Sequence, residues 1–306
     1  MSASSSKKVI FAALAGNSLI AVTKFTAAAM TGSSAMLSEG IHSLVDTGNQ
    51  ILLLHGMKQA QKPASENFPF GHGKEIYFWA FAVAIMIFAV GAGVSIYEGI
   101  HHILDPQPMK DAFINYIVLG LSILFEGGAW YLAFREFGKA KGDLGYIEAV
   151  QRGKDPTMFV VLFEDSAALL GLLFALVGVA MAQYTGNPVY DGVASVLIGL
   201  VLGGTAIWLA VETKSLLIGE SANRQVVEGI RRHINAESSI QHVNEILTMH
   251  MGPEYILVNI SVDFKDDIPA GRIEQTIMEL DRKIKSAFPE VKRVFIEAEP
   301  RKTRRF

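Results

Sequence analysis

The sequence contains no cysteine among its 306 residues. Disulfide bonds, thiolate zinc sites and cysteine nucleophiles are therefore excluded, although the absence says little about the redox compartment. An excess of positive charge is also missing, because the formal net charge is −3, so nothing indicates a nucleic-acid partner. No His-Glu-x-x-His sequence occurs either, and that motif would be expected of a membrane-embedded metallohydrolase.

Long apolar runs are what the sequence has in abundance. Half of the residues (50%) are hydrophobic, and the mean hydropathy of +0.31 is high for a soluble globular protein. The runs predict an α-helical membrane protein with six transmembrane helices, followed by a soluble part. The predicted spans are Val9–Met30, Ser34–Gly56, Ile76–His101, Phe113–Phe134, Met158–Gln183 and Val189–Val211. The first run follows two lysines, as in a signal peptide, but it is long enough to span and is interpreted as a retained helix.

Basic residues predict the orientation of these spans. The connections after the first, third and fifth spans contain only one, Lys110, whereas the opposite side carries many. That side has Lys7, Lys8, Lys58, Lys62, Lys74, Arg135, Lys139, Lys141, Arg152 and Lys154. Since positive residues mark the cytoplasmic side, we expect both termini to be cytoplasmic. The short chain with few extensions fits a bacterial inner (plasma) membrane better than an organelle.

From about Leu216 the pattern changes to that of a small soluble domain. Apolar residues at helical or alternating spacing predict the order α-β-β-α-β, with the helices on one face of a sheet. The predicted elements are a helix from Ser221 to Ile234, strands from His242 to His250 and from Tyr255 to Phe264, a helix from Ala270 to Phe288 and a strand from Val291 to Ala298. We therefore predict a transmembrane domain at 1–214 and a cytoplasmic domain at 215–306.

The second span carries two ionisable residues in an otherwise apolar helix. His42 and Asp46 lie four residues apart, so they share one helix face, which Ser38 and Asn49 extend. An ionisable group inside a bilayer costs about 2.5–3.5 kcal/mol or more and is rarely accidental. An imidazole nitrogen and a carboxylate oxygen make half of a divalent-metal site. We interpret the pair as part of an intramembrane metal-transport site; the alternative is a hydrogen bond that only packs two helices.

Partners for this pair are expected in the fifth span, at Glu164 and Asp165. Neighbouring residues on a helix point about 100° apart, so the sequence leaves open which carboxylate faces the bundle. Snorkelling or helix capping near the interface is the alternative for both. His72, between two glycines in the loop before the third span, is accessible and is a further candidate ligand, although a lone loop histidine is more often solvated.

Three other charged residues in the spans are weaker candidates. Lys24 in the first span could neutralise a carboxylate or snorkel toward the interface. Glu126 in the fourth span stands beside Gly127-Gly128, where a close helix contact and a direct role with ions or protons are plausible. Asp191 opens the sixth span, at a helix N-terminus where the dipole favours a carboxylate.

Taken in order, these features resemble the cation diffusion facilitator (CDF) family of divalent-metal transporters. The resemblance rests on Gly32-Ser-Ser-Ala-Met-Leu-Ser entering the second span, the polar pair ending Val-Asp46-Thr, the segment Phe-Gly71-His72-Gly73-Lys74-Glu75, the carboxylate in the fifth span, Asp191-Gly192 opening the sixth, and the α-β-β-α-β tail. The Phe-Glu-Asp sequence of the fifth span is similar to the branch of the family that includes mitochondrial zinc transporters.

The resemblance implies a homodimeric transporter, not an enzyme, that exports zinc or a related ion in exchange for protons. The metal would be its substrate, and no cofactor is implied. Four ligands are implied, of which three fall on His42, Asp46 and Asp165. The fourth position holds Val161, so Glu164, water or another helix would complete the shell that zinc prefers. A carboxylate-rich site leaves manganese, iron or cobalt open, whereas the histidine favours zinc.

The tail departs further from the family. His242 matches one position at which zinc-rich members place a ligand near the dimer interface. Ser261 stands where another histidine would be, and Glu297 and Glu299 replace a His and an Asp. His250 is a possible substitute at no matched position. We expect a weak regulatory metal site or none, with the tail serving as a metallochaperone-like dimerisation module.

A membrane-anchored metal sensor or scaffold is the rival interpretation from another functional class. The tail would then bind metal, and the spans would only anchor it. The pair His42 and Asp46 argues against this, because an anchor needs no ionisable groups inside the membrane. The expected mechanism is antiport with alternating access, in which protons from the more acidic side release the metal from its deprotonated ligands.

Overall fold

The computed structural model describes residues 3–141, 145, 146, 148, 149 and 153–301. Backbone packing divides the chain into two compact units. The first comprises Met1–Lys58, Phe78–Gln151 and Pro156–Lys214, and the second comprises Gln59–Tyr77, Arg152–Asp155 and Ser215–Phe306. The second unit therefore contains two short segments from between the long helices as well as the tail.

Six long helices run through the described part of the chain before the tail. They are α1 (Ala3–Thr31), α2 (Ser34–Ala60), α3 (Glu75–Leu104), α4 (Ala112–Ala140), α5 (Pro156–Thr185) and α6 (Val189–Ile218). Within α3, residues Ile87–Ala92 are wound as a π-helix. Each helix contains one hydropathy-predicted span and all but α2 and α6 extend past it at both ends, because helical hydrogen bonding continues beyond the apolar window.

Four of the described helical stretches are long and apolar enough to cross a membrane. They are Glu75–Leu104, Ala112–Gly138, Phe159–Thr185 and Val189–Ile218. Large apolar side chains remain exposed on these helices, Leu124 and Leu173 among them, as expected for surfaces that face lipid rather than water. The architecture is that of a multi-pass helical membrane protein with a small sheet-containing C-terminal part.

The second unit is built on a three-stranded sheet and two helices. Its elements are α7 (Arg224–Asn235), β1 (Ile240–Gly252), β2 (Tyr255–Phe264), α8 (Ala270–Ala287) and β3 (Val291–Ala298). The strand order is β1-β2-β3, with β1 and β2 antiparallel and β2 and β3 parallel. A tight hairpin suffices for the first pair, whereas α8 supplies the crossover that a parallel pair needs. The predicted order α-β-β-α-β is confirmed.

Both helices of the second unit cover the same face of the sheet. Alternate residues of β2 are buried there, as the period of two in a strand requires. The core consists of Ala222, Ile230, Ile234, Val243, Ile256, Val258, Ile260, Val262, Phe264, Leu280, Ile284 and Val291. On the opposite face Leu247, Met249 and Phe295 remain exposed among polar residues such as Asn259 and Glu297.

The loop between α2 and α3 packs against the β1–β2 turn within the second unit. A Cβ atom on Gly73 would lie 2.3 Å from the Met251 carbonyl oxygen, so only glycine allows this approach of the two backbones. Gly71 has a positive φ of 79°, a left-handed backbone conformation that glycine adopts without strain. The two glycines beside His72 are therefore needed for different reasons: Gly71 for its positive φ, and Gly73 for the close approach of two backbones.

Candidate metal centre

The N-terminal end of α2 is held by a carboxylate from another helix. Asp191, in the first turn of α6, is fully buried. It accepts hydrogen bonds from the Ser33 hydroxyl (2.7 Å), the Ser34 backbone N–H (2.5 Å) and the Ala35 backbone N–H (3.3 Å). The carboxylate therefore caps α2, in addition to lying in the first turn of its own helix. Since 157 residues separate Asp191 from Ser34, no local sequence pattern could have identified this pairing.

The buried polar face of α2 continues from this cap to His42. The Ser38 hydroxyl lies 2.5 Å from that of Ser195 on α6. His42, one turn further along, is 1% exposed, and its Nδ1 atom lies 3.4 Å from Asp46 Oδ1. Within the described part of the chain, neither ring nitrogen of His42 has a hydrogen-bond partner, and neither does that carboxylate oxygen. Buried polar atoms are normally paired, so these atoms are candidates for binding a ligand.

The two carboxylates of α5 are placed differently. Glu164 is 5% exposed and accepts a hydrogen bond from the Asn49 amide at 2.5 Å. It also lies within hydrogen-bonding distance of the Asp46 carboxyl group. Asp165 is partly exposed and lines a cavity beside these groups. Glu164 therefore packs directly against α2, while Asp165 reaches the same cavity from the next position, a distinction that the sequence left open.

This cavity has a volume of about 340 Å³. Its lining residues come from α1, α2, α4 and α5: Asn17, Ile20, Ser43, Asp46, Gln50, Phe125, Glu126, Ala129, Ala133, Val161, Glu164, Asp165 and Ala168. Val161, at the fourth expected ligand position, contributes an apolar wall, and His42 is not among the lining residues. Among the residues that the structure describes, no three His, Asp or Glu side chains are gathered closely enough to hold a metal ion. Three candidate ligands thus share a cavity without forming a closed cage.

A buried lysine bridges two carboxylates beside this cavity. Lys24 of α1 is fully buried, and its Nζ atom lies 3.0 Å from Glu39 Oε2 and 2.7 Å from Glu126 Oε1. It also donates to the Ser43 hydroxyl at 2.9 Å. The neutralising role considered for this lysine is confirmed. Gly171 of α5 makes room for the network, because a Cβ atom there would lie 2.5 Å from Glu39 Oε1.

The loop histidine considered as a ligand, His72, lies in the second unit. Its Nδ1 atom is 4.0 Å from Glu75 Oε1, and its ring packs against Phe68 with the ring centroids 4.3 Å apart. These contacts are those of a local loop structure. Within the described residues, these contacts bring no second histidine to His72.

The two tail histidines lie on opposite faces of the sheet. His242 pairs with Asp263, and His250 pairs with the core residue Ile256, an odd number of positions away on β2. The two histidines, eight residues apart on β1, differ in face because the register shifts between Val243 and Glu245. His250 is 3% exposed, and burial lowers the pKa of its imidazole below the ordinary 6.5. On the open face the Ser261 hydroxyl donates to the Glu299 carboxylate. The substitution of His250 for a missing ligand beside His242 is therefore not supported by their placement.

Comparison with known proteins identifies relatives of this helical bundle. The family model of the cation efflux transmembrane domain matches residues 10–218. The Xenopus laevis protein named proton-coupled zinc antiporter SLC30A9, mitochondrial, is 34% identical over 260 residues, which are 84% of this chain and 46% of that protein. Metal tolerance protein C4 of Arabidopsis thaliana is 28% identical over 85% of this chain and 57% of its own length. The chain thus spans about half the length of these two curated relatives.

A bacterial relative matches over nearly its whole length. The manganese efflux system protein MneP of Bacillus subtilis is 22% identical over 96% of both chains. The match to the family model extends from α1 to the end of α6 and so includes every residue of the cavity. On this match, the chain belongs to the cation efflux family, whose members are transporters rather than enzymes.

Proposed function

We propose that this chain exports a divalent cation, zinc in the first place, across a membrane by proton-coupled antiport. The observation that carries the proposal is the set of unpartnered ligand atoms on His42 and Asp46, beside the cavity that Glu164 and Asp165 also line. Ionisable groups left without partners inside apolar helices are costly and mark ion pathways. An imidazole nitrogen with several carboxylate oxygens is a ligand set that zinc accepts.

The metal would be a substrate that exchanges with protons on its own ligands. A hydrogen bond between the carboxyl groups of Asp46 and Glu164 requires a proton on one of them. Metal entry would release that proton, because ligands bind metal in their deprotonated form. Protons from the acidic side would then displace the metal, aided by the membrane potential at about 2.3 kcal/mol per charge per 100 mV. Rigid-body movement of helix groups around the site would give alternating access.

We further propose that α1–α6 are six transmembrane helices with both termini in the cytoplasm. Helices α1 and α2 contain 29 and 27 residues, and about 20 residues suffice to span a bilayer. The distribution of lysine and arginine supports the orientation. The transmembrane domain would comprise 1–214 and the cytoplasmic domain 215–306.

The cytoplasmic domain would join two copies of the chain in a homodimer. The exposed side chains of Leu247, Met249 and Phe295 on the open sheet face support this role. His72 and His242 remain candidate ligands for a regulatory metal in the cytoplasmic part. The rich hydrogen bonding around Ser261 supports a weak site there or none.

Manganese is the second candidate substrate. Carboxylate oxygens suit manganese as well as zinc, and the site has more carboxylates than imidazoles. The relatives divide in the same way, because some are named for zinc and one for manganese. A bacterial inner (plasma) membrane is the proposed location; the nearly full-length match to the Bacillus subtilis protein supports it, whereas the more similar Xenopus laevis relative is named mitochondrial.

Metal flux into proteoliposomes under an imposed pH gradient tests the proposal. The parent protein would be compared with Asp46→Ala and Asp165→Ala for zinc, manganese, cobalt and iron(II). We expect zinc flux that follows the gradient and is lost in both variants. If the parent protein moves no cation, the transport function is wrong and the tail should be tested as a metal sensor.

A further inference from the structure

The candidate metal centre lacks one expected ligand on α5. Val161 lines the cavity where a fourth ligand would stand, and an apolar side chain cannot bind a cation. Zinc sites in proteins usually have four ligands. If the site described above carries metal, its shell is completed by water, by a carboxylate of another helix, or by Glu164, which already accepts a hydrogen bond from Asn49.

Glu126 of α4 is the carboxylate in the right place. It lines the cavity together with Asp46 and Asp165, and it lies close enough for its charge to act on both of them. Its side chain is 17% exposed, and its Oε2 atom is buried without a hydrogen-bond partner in the described part of the chain. One oxygen of this carboxylate is therefore free beside the other candidate ligands.

Lys24 fixes the other oxygen of the same carboxylate. The ammonium group contacts Oε1 at 2.7 Å and is anchored on its other side by Glu39 and Ser43. A buried ion pair of this kind contributes little net stability compared with apolar packing. It does, however, hold a carboxylate in one orientation, which is what a metal ligand needs from the groups behind it.

We propose that Glu126 is a direct ligand of the transported cation, supplied by α4 in place of the missing ligand on α5, and that Lys24 is its positioning residue. This inference rests on the transport function proposed above. It gives the site one imidazole and a majority of carboxylates drawn from three helices. Such an oxygen-rich shell makes the residue at 126 a determinant of zinc-against-manganese selectivity.

Equilibrium binding of zinc and of manganese to the full-length protein in detergent tests the inference. Glu126→Gln keeps the size of the side chain and an oxygen for Lys24, but it removes the charge. We expect it to weaken the binding of both metals by about tenfold or more, the scale seen for groups that support metal sites. Asp105→Asn, which neutralises an exposed carboxylate at the end of α3, is the matched control and should bind both metals as the parent does.

Glu126→His separates a ligand from a mere counter-ion of Lys24. An imidazole at a ligand position favours zinc over manganese, so the ratio of the two dissociation constants should shift toward zinc by about tenfold. A counter-ion role predicts an unchanged ratio, because loss of charge affects both metals alike. The triple variant Lys24→Met/Glu39→Gln/Glu126→Gln removes the ammonium together with the charges of both its carboxylate partners, and it should show the same loss of binding in a folded protein.

Two outcomes would overturn the inference, and they differ from failure of the transport function. If Asp46→Ala loses zinc binding while both Glu126 variants bind as the parent does, Glu126 is not a ligand and the transport site stands. If Glu126→His and Glu126→Gln weaken both metals equally, the residue acts only through its charge. If the parent protein binds neither metal, the proposed function itself is wrong.

Discussion

Helix α2 has buried polar residues at its N-terminal end and at its middle. The two regions differ in whether the polar atoms have hydrogen-bond partners. At the N-terminal end, the Asp191 carboxylate accepts bonds from both the backbone and side chain of Ser34 and from two neighbours. At the middle, both nitrogens of His42 and one oxygen of Asp46 have no partner within the described residues. The first arrangement is a structural cap, and the second leaves unpaired the atoms that we propose bind the transported cation.

The difference also appears in how charge is balanced. Asp191 accepts hydrogen bonds from serine hydroxyls and backbone N–H groups near the positive end of a helix dipole, and the His102 imidazole lies 3.9 Å away. In the middle of the bundle, by contrast, carboxylates outnumber the positive charge of Lys24 among the described residues. They are Glu39, Asp46, Glu126, Glu164 and Asp165. An excess of carboxylates in a closed space favours the entry of a cation. The same helix therefore combines a capped end with a middle that faces several carboxylates.

The largest effect is expected when the middle of α2 is changed. Asp46→Asn should abolish metal flux, because the amide removes the charge that attracts the cation and one anionic ligand. The thermal midpoint should stay the same or rise, since the amide can still hydrogen-bond to Glu164 and the unpartnered Oδ1 atom no longer belongs to a charged group. Flux assays and thermal unfolding of the full-length protein in detergent measure the two quantities. Substantial zinc flux in this variant would remove Asp46 from the site.

The opposite result is expected at the cap. Asp191→Ala leaves the backbone N–H groups of Ser34 and Ala35 without their acceptor, and each orphaned buried donor costs about 1–3 kcal/mol. We expect a lower thermal midpoint with zinc affinity close to that of the parent. Asp191→Asn, which keeps one acceptor oxygen, should lose less stability. A loss of zinc affinity without a loss of stability would place Asp191 in the binding site.

Glycine 171 tests whether the ion network is as closely packed as its geometry indicates. Gly171→Ala places a methyl group 2.5 Å from Glu39 Oε1, and such overpacking costs about 1–3 kcal/mol. Gly204→Ala on α6 is the matched control, because nothing lies within 4 Å of its added Cβ atom. Thermal unfolding of both variants measures the difference. Equal stability of the two would show that Glu39 moves away freely.

The smallest expected effect concerns His250 in the second unit. Burial lowers the pKa of its imidazole in the folded protein, so the unfolded chain binds the proton more readily. Stability should therefore be unaffected above pH 6.5 and should decrease as the pH falls below the ordinary pKa of 6.5. Hydrogen exchange of β1 and β2 between pH 7.5 and about pH 5 would measure this. His250→Gln should flatten that dependence, and an unchanged slope would contradict the assignment.

Periodicity suffices to predict the helices, the α-β-β-α-β order of the tail and the shared face of Ser38, His42, Asp46 and Asn49. These features depend on residues close in sequence, since a helix repeats every 3.6 residues and a strand every two. The transmembrane count and the ligand set remain predictions. Their test requires a membrane and a metal.

The contacts that distinguish the two ends of α2 could not be predicted, because they join distant residues. The Asp191 carboxylate and the serines at the start of α2 were each recognised separately, but nothing in the sequence pairs residues 157 positions apart. The bridge from Lys24 to Glu126 spans 102 positions. The choice between Glu164 and Asp165 likewise depends on how α5 is rotated against α2, which packing decides.

The position of bound zinc, located by its anomalous scattering in crystals of the full-length protein, would show whether the cavity is the transport site. We predict a zinc ion in the cavity between α2 and α5, bonded to His42, Asp46 and Asp165, with Glu126 completing the shell. No zinc should be found at the capped end of α2. Zinc bound only in the second unit, with none in the cavity, would contradict the account.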